Sequence, residues 1–255
     1  MKRSTMSRSR HRSALLMVIA AASSSLSCGA TMRWKVRRLA KDNPQVLYAV
    51  DTRAQAVALT IDDGPDPTTT PQILDVLARN RAHATFFIIT GRVPGNEELL
   101  RRMLAEGHEL GNHMLRDEPS IKLAPEEFER QLRESHEVLS GFAATRWFRP
   151  GSGSYDAPML STLERHGYRC VIGSVYPFDP QIRWSWFSRR FILSNARAGS
   201  IVILHDWRSK GKRTVNTLSK VLPALRKRGF RIVTLTELEG LRGAPESSRV
   251  EKQRW

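Results

Sequence analysis

From Val57 to about residue 235 the chain repeats one pattern: a short apolar run, a turn, a stretch with helical spacing, then the next apolar run. The runs fall at 57–61, 84–89, 109–112, 145–148, 169–174, 200–204 and 231–235, each bounded by turn-forming residues. Strands that alternate with helices build a mainly parallel sheet, because a crossover helix returns the chain to start the next strand in the same direction. Such a sheet is either rolled into a barrel or left open and doubly wound, and periodicity alone does not separate the two. In both, ligands bind beyond the carboxyl ends of the strands. The search for chemistry is thereby restricted to the residues that follow each run.

The helical stretches carry their own signals. Thr70-Pro71 opens one helix with Ile73, Leu74 and Leu77 inward, and Asn96 with Glu97 and Glu98 opens another that stops at Gly107. Pro125 with Glu126 and Glu127 starts a third, carrying Phe128, Leu132 and Leu139 on one stripe; Pro158 starts a fourth, which Gly167 ends. A late helix is expected over 214–228, with Pro223 implying a kink or a restart.

The net charge of +16 over 255 residues suggests nucleic acid until it is located. Ten Lys and Arg and no acid lie in residues 1–41, so only +6 belongs to the rest, and no nucleic-acid partner is expected. Residues 1–30 read as an export signal: Lys2, Arg3, Arg8, Arg10 and Arg12, an apolar run from Ala14 to Ala22, then small residues. Cys28 could carry a lipid and attach the chain to a membrane; an organelle transit peptide is the competing reading. Residues 31–50 read as a basic connector, 51–240 as a single domain, and 241–255 as a polar tail. Cys170 lies in an apolar run and reads as a buried small hydrophobe.

The first run ends in T-I-D-D-G-P, so a strand delivers Asp62 and Asp63 to the rim. Consecutive strand residues face opposite ways, which argues against one shared job for the two acids. His113 follows the third run, Arg149 the fourth, and His205 with Asp206 the sixth. Two acids, two histidines and an arginine on one rim are the components of a reaction centre. Asp117 lies four residues beyond His113, so the two meet on one side if that loop makes a helical turn. Asp63, His113 and Asp117 would then give a divalent metal three protein ligands and leave positions for water and substrate. His108, in H-E-L-G-N, lacks the second histidine of a helical zinc motif and reads as a surface residue, and no nucleophilic-serine elbow or phosphate loop is present.

The stretch from Val57 to Leu238 resembles the polysaccharide deacetylase domain of carbohydrate esterase family 4, also called the NodB homology domain. T-I-D-D-G-P, H-M-L-R-D, R-P-G-S-G, V-Y-P-F-D-P and I-L-H-D stand in the order of its five motifs. The resemblance implies a distorted (β/α) barrel with about seven parallel strands and metal-dependent hydrolysis of N-acetyl groups on amino sugars of chitin or peptidoglycan type. It implies Asp62 as general base, Asp63 and His113 as metal ligands, His205 as general acid, and Arg149 biasing Asp62 with Asp179 holding Arg149. Leu204 would line the acetyl pocket, the Ser152 N–H would serve as oxyanion donor, and Tyr176 would contribute to the substrate grip. Zinc is the first expectation for the metal, with manganese, cobalt or nickel as alternatives.

The sequence also departs from the family. Asp117 stands where a second histidine is usual, Gly151 and Ser152 where Pro and Tyr are common, Tyr176 for an aspartate and Pro180 for a tryptophan. Asp63, His113 and Asp117 form a harder, more anionic ligand set than one Asp with two His. Two other readings stay open on these residues: a carbohydrate-binding homologue with weakened catalysis, and a hydrolase of another non-peptide amide.

Overall fold

The computed structural model describes residue 36 and residues 38–245. Among these, β1 (Val46–Leu47), β2 (Ala56–Asp62), β3 (Thr85–Ile88), β4 (Glu109–Asn112), β5 (Trp147–Phe148), β6 (Arg169–Val171), β7 (Ile201–His205) and β8 (Arg231–Val233) form one sheet. Every ladder is parallel, in the order β1-β6-β5-β4-β3-β2-β7. β8 pairs with Ala56–Ala58 at the start of β2, beneath β3. The sheet curls until its margins meet, where only the isolated bridges Val175↔Val202 and Ala49↔Ser200 join them. The result is a single-domain, distorted (β/α) barrel, as expected.

After a helical stretch over residues 38–42, the helices are α1 (Thr69–Arg79), α2 (Glu97–Ala105), α3 (Pro125–Ser140), α4 (Ala157–Arg165), α5 (Ser185–Asn195), α6 (Ser209–Lys227) and α7 (Leu235–Glu239). Side-chain alternation divides the strands between two layers. Val57, Leu59 and Ile61 of β2, with Phe86 and Ile88 of β3, face outward onto Leu74 of α1 and Leu218 and Leu222 of α6. Ala56 and Ala58 face inward with Phe87, Trp147, Val171 and Ile201. Small residues on the inner face of β2 leave the barrel room for Phe87 and Trp147.

The structure corrects the sequence reading in several places. The supposed connector contributes β1, and Val46, Leu47, Tyr48 and Val50 are buried; a two-residue strand is too short to show alternation. The expected tail begins inside the fold: Leu241 packs on the inner cluster, and the Gly243 N–H donates to the Asp51 carbonyl at 2.8 Å. α5 gave no clear periodic signal, and α6 begins at Ser209 and runs through Pro223. His108 is buried, not at the surface; its Nδ1 accepts the Ala84 N–H at 3.3 Å, and burial pushes its pKa down to about 4. Cys170 is a free buried thiol, raised to about 12 by burial. The expected targeting segment, with Cys28, lies outside the described residues, and among the described residues no helix is long and apolar enough to cross a membrane.

Candidate active site

The register of β2 and β7 sets Asp62 directly opposite His205, so two strand ends deliver an acid and an imidazole side by side. Each has its own buried partner. Arg149 follows β5, where its N–H extends the ladder by donating to the Asn112 carbonyl at 3.0 Å. Its Nη1 donates to Asp62 Oδ1 at 2.6 Å and to Thr60 Oγ1 at 2.8 Å, and its Nε to the Val171 carbonyl at 3.1 Å. The guanidinium lies 4.1 Å from the Phe87 ring centroid. Asp62 and Arg149 are each only 3% exposed, so solvent screens this pair little.

Asp179, expected to hold Arg149, holds His205 instead. Its carboxylate oxygens lie 3.0 and 3.1 Å from His205 Nδ1, and Oδ2 also accepts the His205 backbone N–H at 3.1 Å. The reason is topological: the chain leaving β6 bridges to β7 at Val175↔Val202, which carries Asp179 to the end of β7. Burial alone would lower the His205 pKa, but Asp179, Asp62 and Asp63 outweigh it and raise it to about 9. The Tyr176 ring lies against this imidazole, with centroids 5.9 Å apart.

Asp63 reaches the same site for a reason the alternation rule misses. It sits just past β2 with φ at 74°, a left-handed conformation that turns the chain out of the strand. Its Oδ1 lies 3.5 Å from His113 Nε2, while His113 Nδ1 lies 2.7 Å from the Arg149 carbonyl. Its Oδ2 accepts a hydrogen bond from Lys210 Nζ at 2.5 Å, and its backbone carbonyl accepts one from Arg92 Nη1. Burial would raise the Asp63 pKa; the His113 bond and the charges of His205, His113 and Lys210 hold it far below the usual carboxylate range.

Asp117 does not join this pair. Residues 113–118 make a bend instead of a helical turn, with Met114 left-handed at φ 72°. The half-exposed Asp117 carboxylate pairs with Arg92 Nη2 at 3.0 Å. The bend is propped from below: the Gly151 N–H donates to Ser120 Oγ at 2.9 Å, and a Cβ on Gly151 would collide with the Glu118 carbonyl. Ser152 is exposed and left-handed at φ 64°. Leu204, expected to line the acetyl pocket, is wholly buried among Ile61, Leu218 and Leu222, because alternation turns it away from the side that His205 faces.

The polysaccharide deacetylase family model matches residues 49–171. A Bacillus cereus peptidoglycan-N-acetylglucosamine deacetylase is 36% identical over 200 residues, covering 76% of this chain and 92% of that protein. The chain belongs to the polysaccharide deacetylase family. A Sinorhizobium fredii chitooligosaccharide deacetylase is also 36% identical, over 73% of this chain and 93% of its own. The structure of a family 4 acetyl xylan esterase from Clostridium thermocellum, in complex with a cobalt ion, superposes with a TM-score of 0.69 at 29% identity. That match covers 74% of this chain and 93% of the esterase.

Members of this family are in general metal-dependent, but the expected donor set is not assembled in this chain. Among the described residues no group of three His, Cys, Asp or Glu side chains is placed to hold a metal ion. Asp63 and His113 converge, Arg92 claims Asp117, and an ammonium already sits on Asp63 Oδ2. As arranged, these residues do not fit a three-ligand divalent site.

Arg92 and Lys210 were not singled out from the sequence. Arg92 lies three residues past the run at 84–89, beyond the position directly after a run at which His113 was found. Lys210 was hidden because the late helix was expected to begin only at residue 214. It lies in the first turn of α6, and Gly211 lets that turn seat: a Cβ there would collide with Thr69 and come within 2.6 Å of Asp206 Oδ1. Asp206 is fully buried, accepts the hydroxyls of Thr69 and Thr70, and donates its N–H to the Asp62 carbonyl at 2.7 Å. Burial raises its pKa to about 6. It fastens β2, β7 and α1 together beneath the site.

Proposed function

We propose that this protein hydrolyses N-acetyl groups from N-acetylglucosamine units of a peptidoglycan- or chitin-type glycan and releases acetate. The carrying observation is the Asp62–His205 juxtaposition, with each group held by an opposite charge of its own. Asp62, bound by Arg149, is the base that takes a proton from the attacking water. His205, oriented through Nδ1 by Asp179 and charged at neutral pH, leaves Nε2 to protonate the departing amine. Without that proton the leaving group would be an amide anion. The Ser152 N–H, at the rim, is the proposed oxyanion donor.

An aromatic path supports a polymer over a small amide. From His205 it runs through Tyr176, Phe178, Phe191 and Phe187 to Trp186, each ring centred 5.0 to 6.1 Å from the next. It ends at Trp184 stacked on Trp186, and these two are 64% and 58% exposed. Flat exposed aromatic faces linked to the site by this path suit the apolar faces of sugar rings. The basic and then apolar N-terminal segment supports export to where such glycans occur.

Acetate measured after incubation with N-acetylglucosamine oligomers and with peptidoglycan fragments tests the proposal. Release from at least one of them, lost in Asp62→Asn and in His205→Ala, is expected. Silence on every glycan, with release from simple amides, would move the assignment to another amide hydrolase.

A further inference from the structure

We infer that Lys210 supplies the positive charge at Asp63 that a divalent ion would otherwise supply, so that wild-type protein excludes such an ion from the Asp63–His113 pair. Lys210 Nζ lies 2.5 Å from Asp63 Oδ2, in contact with the oxygen a metal would need beside His113 Nε2. The ammonium is held there from its own element. Lys210 is in the first turn of α6, its N–H donates to the Trp207 carbonyl at 3.0 Å, and Gly211 seats that turn against Thr69 and Asp206. Trp207 in turn stacks on Arg92, whose guanidinium carbon lies 3.8 Å from the ring centroid. Arg92 binds the Asp63 carbonyl with one nitrogen and the Asp117 carboxylate with another, which withdraws the third donor.

The charges already balance. Asp62 is matched by Arg149, Asp63 by Lys210 and Asp117 by Arg92, one cation to each carboxylate. A dication added to this set would meet Lys210 at contact distance, and like charges so close in a poorly solvated site repel strongly. Lys210 would have to leave Asp63 for a metal to enter.

The test is a zinc titration of the full chain by calorimetry, with stoichiometry checked by elemental analysis after dialysis. Because it reads binding and not acetate release, its outcome is independent of whether the glycan assignment holds. Wild type and Lys210→Arg are expected to bind zinc weakly. Lys210→Met, or Lys210→Met combined with Asp117→His to restore a third donor, is expected to bind about tenfold tighter or more. The gain should vanish when Asp63→Asn is added, and thermal melting confirms that each variant is folded. Stoichiometric tight binding by wild type that Asp63→Asn abolishes would overturn the inference. So would a gain in Lys210→Arg equal to that in Lys210→Met, or no gain in either methionine variant.

Discussion

His205 and Asp179 carry the pH dependence. With the His205 pKa raised to about 9, the imidazolium proposed as the acid persists through neutral pH, and kcat/KM should fall as pH rises through about 9. Asp179→Asn removes the largest opposing charge, so this limb should move toward lower pH in a pH–rate profile. The same shift has a stability sign. A histidine raised above its ordinary 6.5 stabilises the fold fully below that value and loses the contribution as pH rises through about 9. Melting temperature followed from pH 6 to 10 should therefore decline over that window, and decline less in Asp179→Asn. Arg149→Ala strands a buried carboxylate at Asp62, and breaking such a pair costs about 3–5 kcal/mol, readable as a lowered denaturation midpoint.

At the scale of elements, two junctions decide what the site contains: the bend at 113–120 and the start of α6. Gly211→Ala should push the first turn of α6 off Thr69 and Asp206, lowering stability and loosening Lys210 from Asp63. Thermal melting together with the zinc titration would read both effects. The exposed pair on α5 and its entry makes a separate prediction. Trp184→Ala with Trp186→Ala should raise KM for long oligomers more than for short ones, with kcat nearly unchanged.

These junctions also mark where the sequence stopped being informative. Strand ends carry chemistry at fixed positions, so Asp62, His113, Arg149 and His205 could be read directly. Asp179 was found but given the wrong partner, because a loop leaving β6 reaches either strand until the Val175↔Val202 bridge is known. Asp117 was misplaced because i, i+4 spacing brings side chains together only in a helical turn, and Met114 breaks that turn. Leu204 was carried over by motif position against the alternation that places it in the outer core. Lys210 lay ahead of residue 214, where the late helix was expected to begin.

For the whole molecule, the barrel brings a buried acid, a buried cation and an imidazole held toward its charged form by Asp179 to one rim. The seven apolar runs disclosed the barrel because each strand buries both faces; the two-residue β1 escaped notice, although it forms one margin of the sheet. The central claim is that Asp62 and His205 act together on an N-acetyl group. Acetate release from N-acetylglucosamine oligomers and peptidoglycan fragments tests it most directly, with wild type and Asp62→Asn compared at equal concentration. The expected result is acetate from wild type and none above background from Asp62→Asn; full release by Asp62→Asn, or none from any glycan by wild type, would contradict it.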